Sequence, residues 1–189
     1  NTALNNLVSV KAELVRDMSR QTAVKTRFIA NTQQILRTDE EVFSAISDQV
    51  GEELLLKAEA VMSQNQVVIL SDYGKGVLGE GRAQRLIASA KSAGIAVIVD
   101  PKGSNYGIYS GADVVTPNRK ELCEATGMPV VSFDQVAGAA RTICRNHDVK
   151  AVLITLSQDG MILVRAEETH HLPAKTREVF DVSGAGDTV

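Results

Sequence analysis

An α/β fold, with a mostly parallel sheet covered on both faces and a small β flap, is what this sequence predicts. Three observations support it. Short β-branched runs alternate with stretches of helical spacing through the middle of the chain, the pattern of parallel strands joined by helices. Beyond Gly160 that alternation gives way to short strands in direct succession. The first forty residues carry only two polar-faced, strand-like segments.

Taken in order, Ala23–Ala30 and Gln33–Asp39 read as the paired strands of a flap over about residues 22–40. An α/β core over about 48–189 follows, so the chain reads as one domain, 1–189. Val67–Leu70 is the first buried run, and Arg82–Ala93 is a helix ending at Gly94. Ile95–Val99 is the second run, closed by Asp100-Pro101, and Asp113–Val115 is a short third that leads into a helix over Asn118–Thr126. Ser132–His147 is the clearest helix. Phe133, Val136, Ala137, Ala140, Ile143, Cys144 and His147 share one face, and Ser132 with Gln135 forms a capping box. Ala151–Thr155 is the next buried strand. Met161–Arg165, Thr169–Leu172 and Arg177–Phe180 read as an antiparallel edge.

The totals exclude several function classes. The 189 residues suffice for one domain with a substantial core. Twenty basic against 23 acidic residues give a net charge of −3 with no basic block, and Trp is absent, so nothing points to nucleic acid. No apolar run approaches the ~20 residues that cross a bilayer, and no signal-peptide pattern opens the chain. Cys123 and Cys144 lack CxxC spacing and read as reduced, buried thiols of a cytoplasmic protein. His170 and His171 are adjacent in an extended segment and point to opposite faces, which suits no shared metal.

Chemistry is concentrated at the end of the chain. In Gly184-Ala185-Gly186-Asp187 two glycines leave the peptide N–H groups bare for an anion. Asp187 can accept a proton from a hydroxyl beside that anion. An anion hole next to a general base is what phosphoryl transfer to an alcohol needs. A plain glycine-rich turn is the simpler alternative. A second motif competes. Gly74-Lys75-Gly76-Val77-Leu78-Gly79 matches G-x-G-x-x-G, with Asp100 placed 21 residues further on, as in a nicotinamide-dependent oxidoreductase. Against it, Ser71-Asp72-Tyr73 lengthens the turn, and Asp72 and Lys75 put charge where α/β proteins bind ligands.

The chain resembles the ribokinase-like (PfkB) sugar kinases. Within them it is similar to the heptose-7-phosphate kinase domains, often fused to a heptose-1-phosphate adenylyltransferase. The resemblance spans nearly the whole chain. It rests on the flap segments Val24-Lys25-Thr26-Arg27 and Asn31 to Asp39, and on Ser71-Asp72-Tyr73-Gly74-Lys75-Gly76. It also rests on Asp100-Pro101-Lys102-Gly103, Thr116-Pro117-Asn118-Arg119-Lys120-Glu121, Thr155-Leu156-Ser157-Gln158-Asp159-Gly160 and Val182 to Thr188. GAGD and N-x-x-E are shared across the superfamily; the flap and S-D-Y-x-K-G segments narrow the resemblance to heptose phosphate.

That resemblance implies a three-layer αβα sandwich, here expected to be truncated at both ends, and a cytoplasmic kinase using ATP and Mg²⁺. The implied acceptor is a sugar phosphate, D-glycero-D-manno-heptose 7-phosphate, phosphorylated at O1 on the route to lipopolysaccharide core heptose. A homodimer and a fused or separate adenylyltransferase are implied partners. Asp187 would be the base, with the amides of Gly184, Ala185 and Gly186 holding the developing charge. Asn118, Arg119, Lys120, Glu121, Thr155, Ser157 and Gly160 would bind nucleotide, Asn118 and Glu121 reaching Mg²⁺ through water. Gln33, Arg37, Asp72, Lys75, Asp100 and Lys102 would bind the sugar phosphate. Each has a plainer alternative: a capping box for Asn118 and Glu121, an exposed ion pair for Lys102, a solvated strand face for Gln33 and Arg37. Another sugar kinase of the family, the oxidoreductase, or a non-catalytic binding domain are the competing functions.

Overall fold

The computed structural model of the protein describes residues 10–31 and 33–174. Val24–Ala30 (β1) and Gln33–Glu40 (β2) form an antiparallel two-stranded sheet with a register shift between Phe28 and Ile29. Every described residue of both strands is exposed, so this flap buries no core of its own. An isolated hairpin is marginal in water, and ion pairs bind its base. Lys25 Nζ lies 2.9 Å from Asp39 and 3.5 Å from Glu41, just beyond the end of β2.

The core begins with a helix that the apolar spacing did not announce. Asp48–Met62 (α1) is capped by Ser47, whose Oγ accepts from Val50 N at 3.3 Å. Its stripe is blurred in the sequence because Leu54, Leu55 and Leu56 are consecutive and Leu56 is exposed. The elements after it are Val67–Ser71 (β3), Arg82–Ser92 (α2), Ala96–Asp100 (β4), Val114–Val115 (β5), Arg119–Thr126 (α3), Phe133–His147 (α4), Ala151–Thr155 (β6), Met161–Arg165 (β7) and Thr169–Leu172 (β8). All were expected within a residue or two. The strand expected over 177–180 lies outside the described residues.

The sheet runs β3-β4-β5-β6-β7-β8, parallel through β6 and antiparallel thereafter. Parallel neighbours in strict sequence order, joined by right-handed crossovers, put every connecting helix on the same face. There Leu70, Val97, Val99, Val115, Val152, Ile154, Ile162 and Val164 join one core with Leu86, Ile87, Val136 and Ile143 from the helices. Cover on both faces, as expected from the apolar strands, is not what the described residues provide. On the second face Ile69 is 63% exposed and Ile98, Leu153 and Leu163 are only half-buried. Two layers of the sandwich therefore fall within the described residues. Cys123 and Cys144 are free but half-buried, less enclosed than expected, and burial raises the Cys144 thiol above its ordinary range.

Candidate active site

Four parallel strands end on the same edge of the sheet, and most of the sequence-predicted site residues stand just beyond them. Asp72 follows β3, Asp100 ends β4 with Lys102 two residues on, Asn118 follows β5, and Thr155 ends β6. This carboxyl edge is where open α/β sheets take ligands. Backbone bonds fix the spacing of the loops: Asp72 N donates to Asp100 O at 2.9 Å, Thr116 N to Val99 O at 2.9 Å and Thr155 N to Pro117 O at 3.1 Å.

A buried tyrosine that sequence reasoning missed joins these segments. Tyr109 belongs to a one-turn 3₁₀ segment, Tyr106–Tyr109, and is fully buried. Its hydroxyl lies 2.6 Å from Asp72 Oδ2, 3.2 Å from Lys102 N and 3.3 Å from Lys102 O. One phenolic proton can serve only one acceptor well, and the short contact to a carboxylate is the stronger. Tyr109 therefore donates to Asp72 and accepts from the Lys102 amide. Burial, then the Asp72 contact, raises its phenol above the ordinary range and keeps it a donor. The other Asp72 oxygen accepts from Gly74 N at 2.7 Å. Lys102 Nζ extends to Glu121 Oε1 at 2.9 Å, a bond that raises the Lys102 ammonium above its ordinary range. Only local spacing was legible in advance; a contact 37 residues apart was not.

Asn118 and Glu121 form the capping box of α3: Asn118 Oδ1 accepts from Glu121 N at 2.9 Å, and Glu121 Oε2 accepts from Asn118 N at 3.1 Å. Both carboxylate oxygens of Glu121, itself buried, thus have protein partners. Among the described residues no group of three or more His, Cys, Asp or Glu is placed to hold a metal. A cation that keeps most of its waters fits such a pair, whereas a protein cage does not.

The remaining residues expected on the nucleotide side have structural work of their own. Arg119 donates to the carbonyls of Val130 and Val131 at 2.7 and 2.8 Å and to Asp159 at 3.0 Å, tying the α3–α4 connection to the β6–β7 turn. Lys120 stands on the exposed side of α3, 3.7 Å from Glu124. Ser157 opens the turn after β6, and Gly160 closes it at φ +86°, where a Cβ would collide with the Leu172 carbonyl and Ala174 N.

Lys75 is not directed at open solvent; it pairs with Glu41 at the flap's base, and that bond holds the Glu41 carboxyl below its ordinary range. Arg20 reinforces the join, donating to Lys75 O at 2.8 Å and Val42 O at 2.9 Å. On the flap, Arg37 pairs with Asp39 at 2.9 Å, and Gln33 lies at the start of β2, both exposed. Asp187 and the Gly184, Ala185 and Gly186 amides lie outside the described residues.

The glycine-rich loop does not form a dinucleotide cradle. Arg82, at the start of α2 and only 5% exposed, donates to Val77 O at 2.8 Å and Gly76 O at 3.3 Å. The loop thus turns two carbonyls toward a guanidinium at the helix N-terminus, where a pyrophosphate would need bare N–H groups. This corrects the oxidoreductase alternative built on Gly74, Gly76, Gly79 and Asp100.

With this geometry in place, the comparisons with known proteins fall on one family. The pattern of pfkB family carbohydrate kinases matches residues 8–189. The bifunctional protein HldE of Paramagnetospirillum magneticum is 56% identical over 177 residues, which are 93% of this chain and 36% of that protein. HldE of Acidiphilium cryptum is 48% identical over 181 residues, 96% of this chain and 37% of its own length. The chain thus spans little more than a third of these relatives. Among solved structures, Arabidopsis thaliana ribokinase complexed with ribose and ATP superposes with a TM-score of 0.61 at 24% identity, covering 81% of this chain and 49% of that one. Escherichia coli phosphofructokinase-2 in complex with fructose-6-phosphate gives 0.64 at 20% identity, covering 88% and 55%. These two likenesses show the ribokinase-like fold. No described helix is long and apolar enough to cross a membrane.

Proposed function

Because this chain belongs to the pfkB family of carbohydrate kinases, we propose that its protein transfers the γ-phosphoryl group of ATP to O1 of D-glycero-D-manno-heptose 7-phosphate. The product would be the 1,7-bisphosphate, a precursor of lipopolysaccharide core heptose. The observation that carries the reading is the gathering of Asp72, Asp100, Lys102, Asn118, Glu121 and Thr155 at one sheet edge. The heptose assignment is supported by the flap and S-D-Y-x-K-G segments and by 56% identity to a bifunctional HldE. The word bifunctional in that name accords with a kinase joined to an adenylyltransferase. The same resemblance makes the assembly a homodimer in this proposal.

In this reaction Asp187 takes the proton from the O1 hydroxyl as its oxygen attacks the γ-phosphorus, and ADP leaves from the opposite side. The amides of Gly184, Ala185 and Gly186 meet the charge growing on the transferred group. Asp72, Asp100 and Lys102 orient the sugar, Gln33 and Arg37 reach its 7-phosphate from the flap, and Lys75, paired with Glu41, contributes from the flap's base. Thr155, Ser157 and Gly160 line the nucleotide site with Arg119 and Lys120. Mg²⁺ bound through water near Asn118 and Glu121 would neutralise phosphate charge.

Coupled ADP release from the full-length enzyme tests the acceptor. Heptose 7-phosphate should be turned over with kcat/KM at least ~100-fold above ribose or fructose 6-phosphate, a margin well inside the ~10⁴–10⁵-fold by which a site built to hydrogen-bond a substrate rejects analogues lacking those groups. Equal turnover of all three would remove the heptose assignment and leave the kinase class standing.

A further inference from the structure

We propose that Tyr109 is a positioning residue of the kinase: its buried hydroxyl locks the Asp72 side chain to the Lys102 backbone and so sets the floor on which the acceptor sugar sits. The inference rests on the sugar-kinase reading above, and adds a residue that no motif of the sequence marks.

Three observations carry it. The hydroxyl bridges two segments that arrive from different strands, with Asp72 Oδ2 at 2.6 Å and Lys102 N at 3.2 Å. Lys102 in turn reaches Glu121 at 2.9 Å, so one chain of bonds runs from the end of β3 to the start of α3. The ring itself cannot shift: it is fully buried and packs edge-on against Tyr106, with ring centres 5.8 Å apart and planes at 78°. Asp72 therefore receives its donor from a rigid point of the core, while its other oxygen accepts from Gly74 N in the loop. A carboxylate so held presents one orientation to a ligand, which is how supporting residues preorganise a site. Tyr106 supplies an internal comparison. It is equally buried, yet its hydroxyl has no hydrogen-bond partner among the described residues.

The test is Tyr109→Phe in the full-length enzyme, with kinetic constants referred to the folded fraction and measured on whichever sugar phosphate the wild type turns over best. A different preferred sugar would then revise the acceptor assignment without touching this comparison. Loss of the hydroxyl should lower kcat/KM for the sugar about tenfold or more, as small misplacements of orienting groups do, while KM for ATP stays within about twofold. Tyr109→Phe made in an Asp72→Asn background should add less than about twofold to the loss that Asp72→Asn causes alone, since a residue that acts through another has little left to change once that other is gone. Tyr106→Phe should leave all constants unchanged. The proposal is overturned if Tyr109→Phe changes only the melting temperature, if its loss multiplies with that of Asp72→Asn, or if Tyr106→Phe produces the same loss.

Discussion

At Glu121 one carboxylate oxygen closes the cap of α3 and the other holds Lys102, so the cap and the proposed Mg²⁺ role are separable by a change that alters charge and not shape. Glu121→Gln keeps an acceptor at the third helical position, because Glu and Gln both close a capping box. It gives up an ion pair with the half-exposed Lys102, a contact worth ~0–1 kcal/mol. Stability should therefore fall by less than about 1 kcal/mol. The Mg²⁺ concentration giving half-maximal rate should rise about 10–100-fold, the usual effect of losing an outer-shell partner of a metal. Melting curves and Mg²⁺ titrations of the kinase rate separate the two roles; lost stability with unchanged Mg²⁺ dependence would leave Glu121 a cap alone.

The loop from Asp72 to Gly81 and the two capped helices show what kind of element a sequence discloses. The capping boxes at Asn118 and Ser132 were legible because each is closed by residues three apart. The strands were legible because buried parallel strands are uniformly apolar. The α1 helix was obscured by its run of three leucines, and Tyr109 was invisible because its shortest contact, to Asp72, spans 37 residues and no local motif marks it. The G-x-G-x-x-G match misled for a related reason, since spacing does not reveal which way the backbone groups turn. Its glycines are not equivalent. Gly76 has φ +73° and sits against the Ser44 carbonyl with no room for a Cβ, whereas a Cβ on Gly79 meets nothing within 4 Å. Gly76→Ala should destabilise by ~1–3 kcal/mol, the range for a strained backbone forced on a side chain. Gly79→Ala should stay within ~0.5 kcal/mol, as for surface changes away from special features. Denaturant titration checks both, and equal sensitivity at the two positions would contradict this account of the loop.

Across the whole molecule, the flap and the sheet edge are linked through Lys75–Glu41 and through Arg20 rather than through a shared core. The S-D-Y-x-K-G segment thereby touches two functions at once: Asp72 belongs to the Tyr109 network and Lys75 to the flap's base. In the function proposed above, the sugar would lie across the edge from Asp72 to Thr155, with its 7-phosphate toward the flap. Phosphorus NMR of the product formed by the full-length enzyme from ATP and D-glycero-D-manno-heptose 7-phosphate tests that function most directly. A new phosphomonoester signal coupled to the anomeric proton, appearing in step with ADP, is the expected result. ADP formation with no such coupling, or with the new phosphate on another carbon, would contradict transfer to O1.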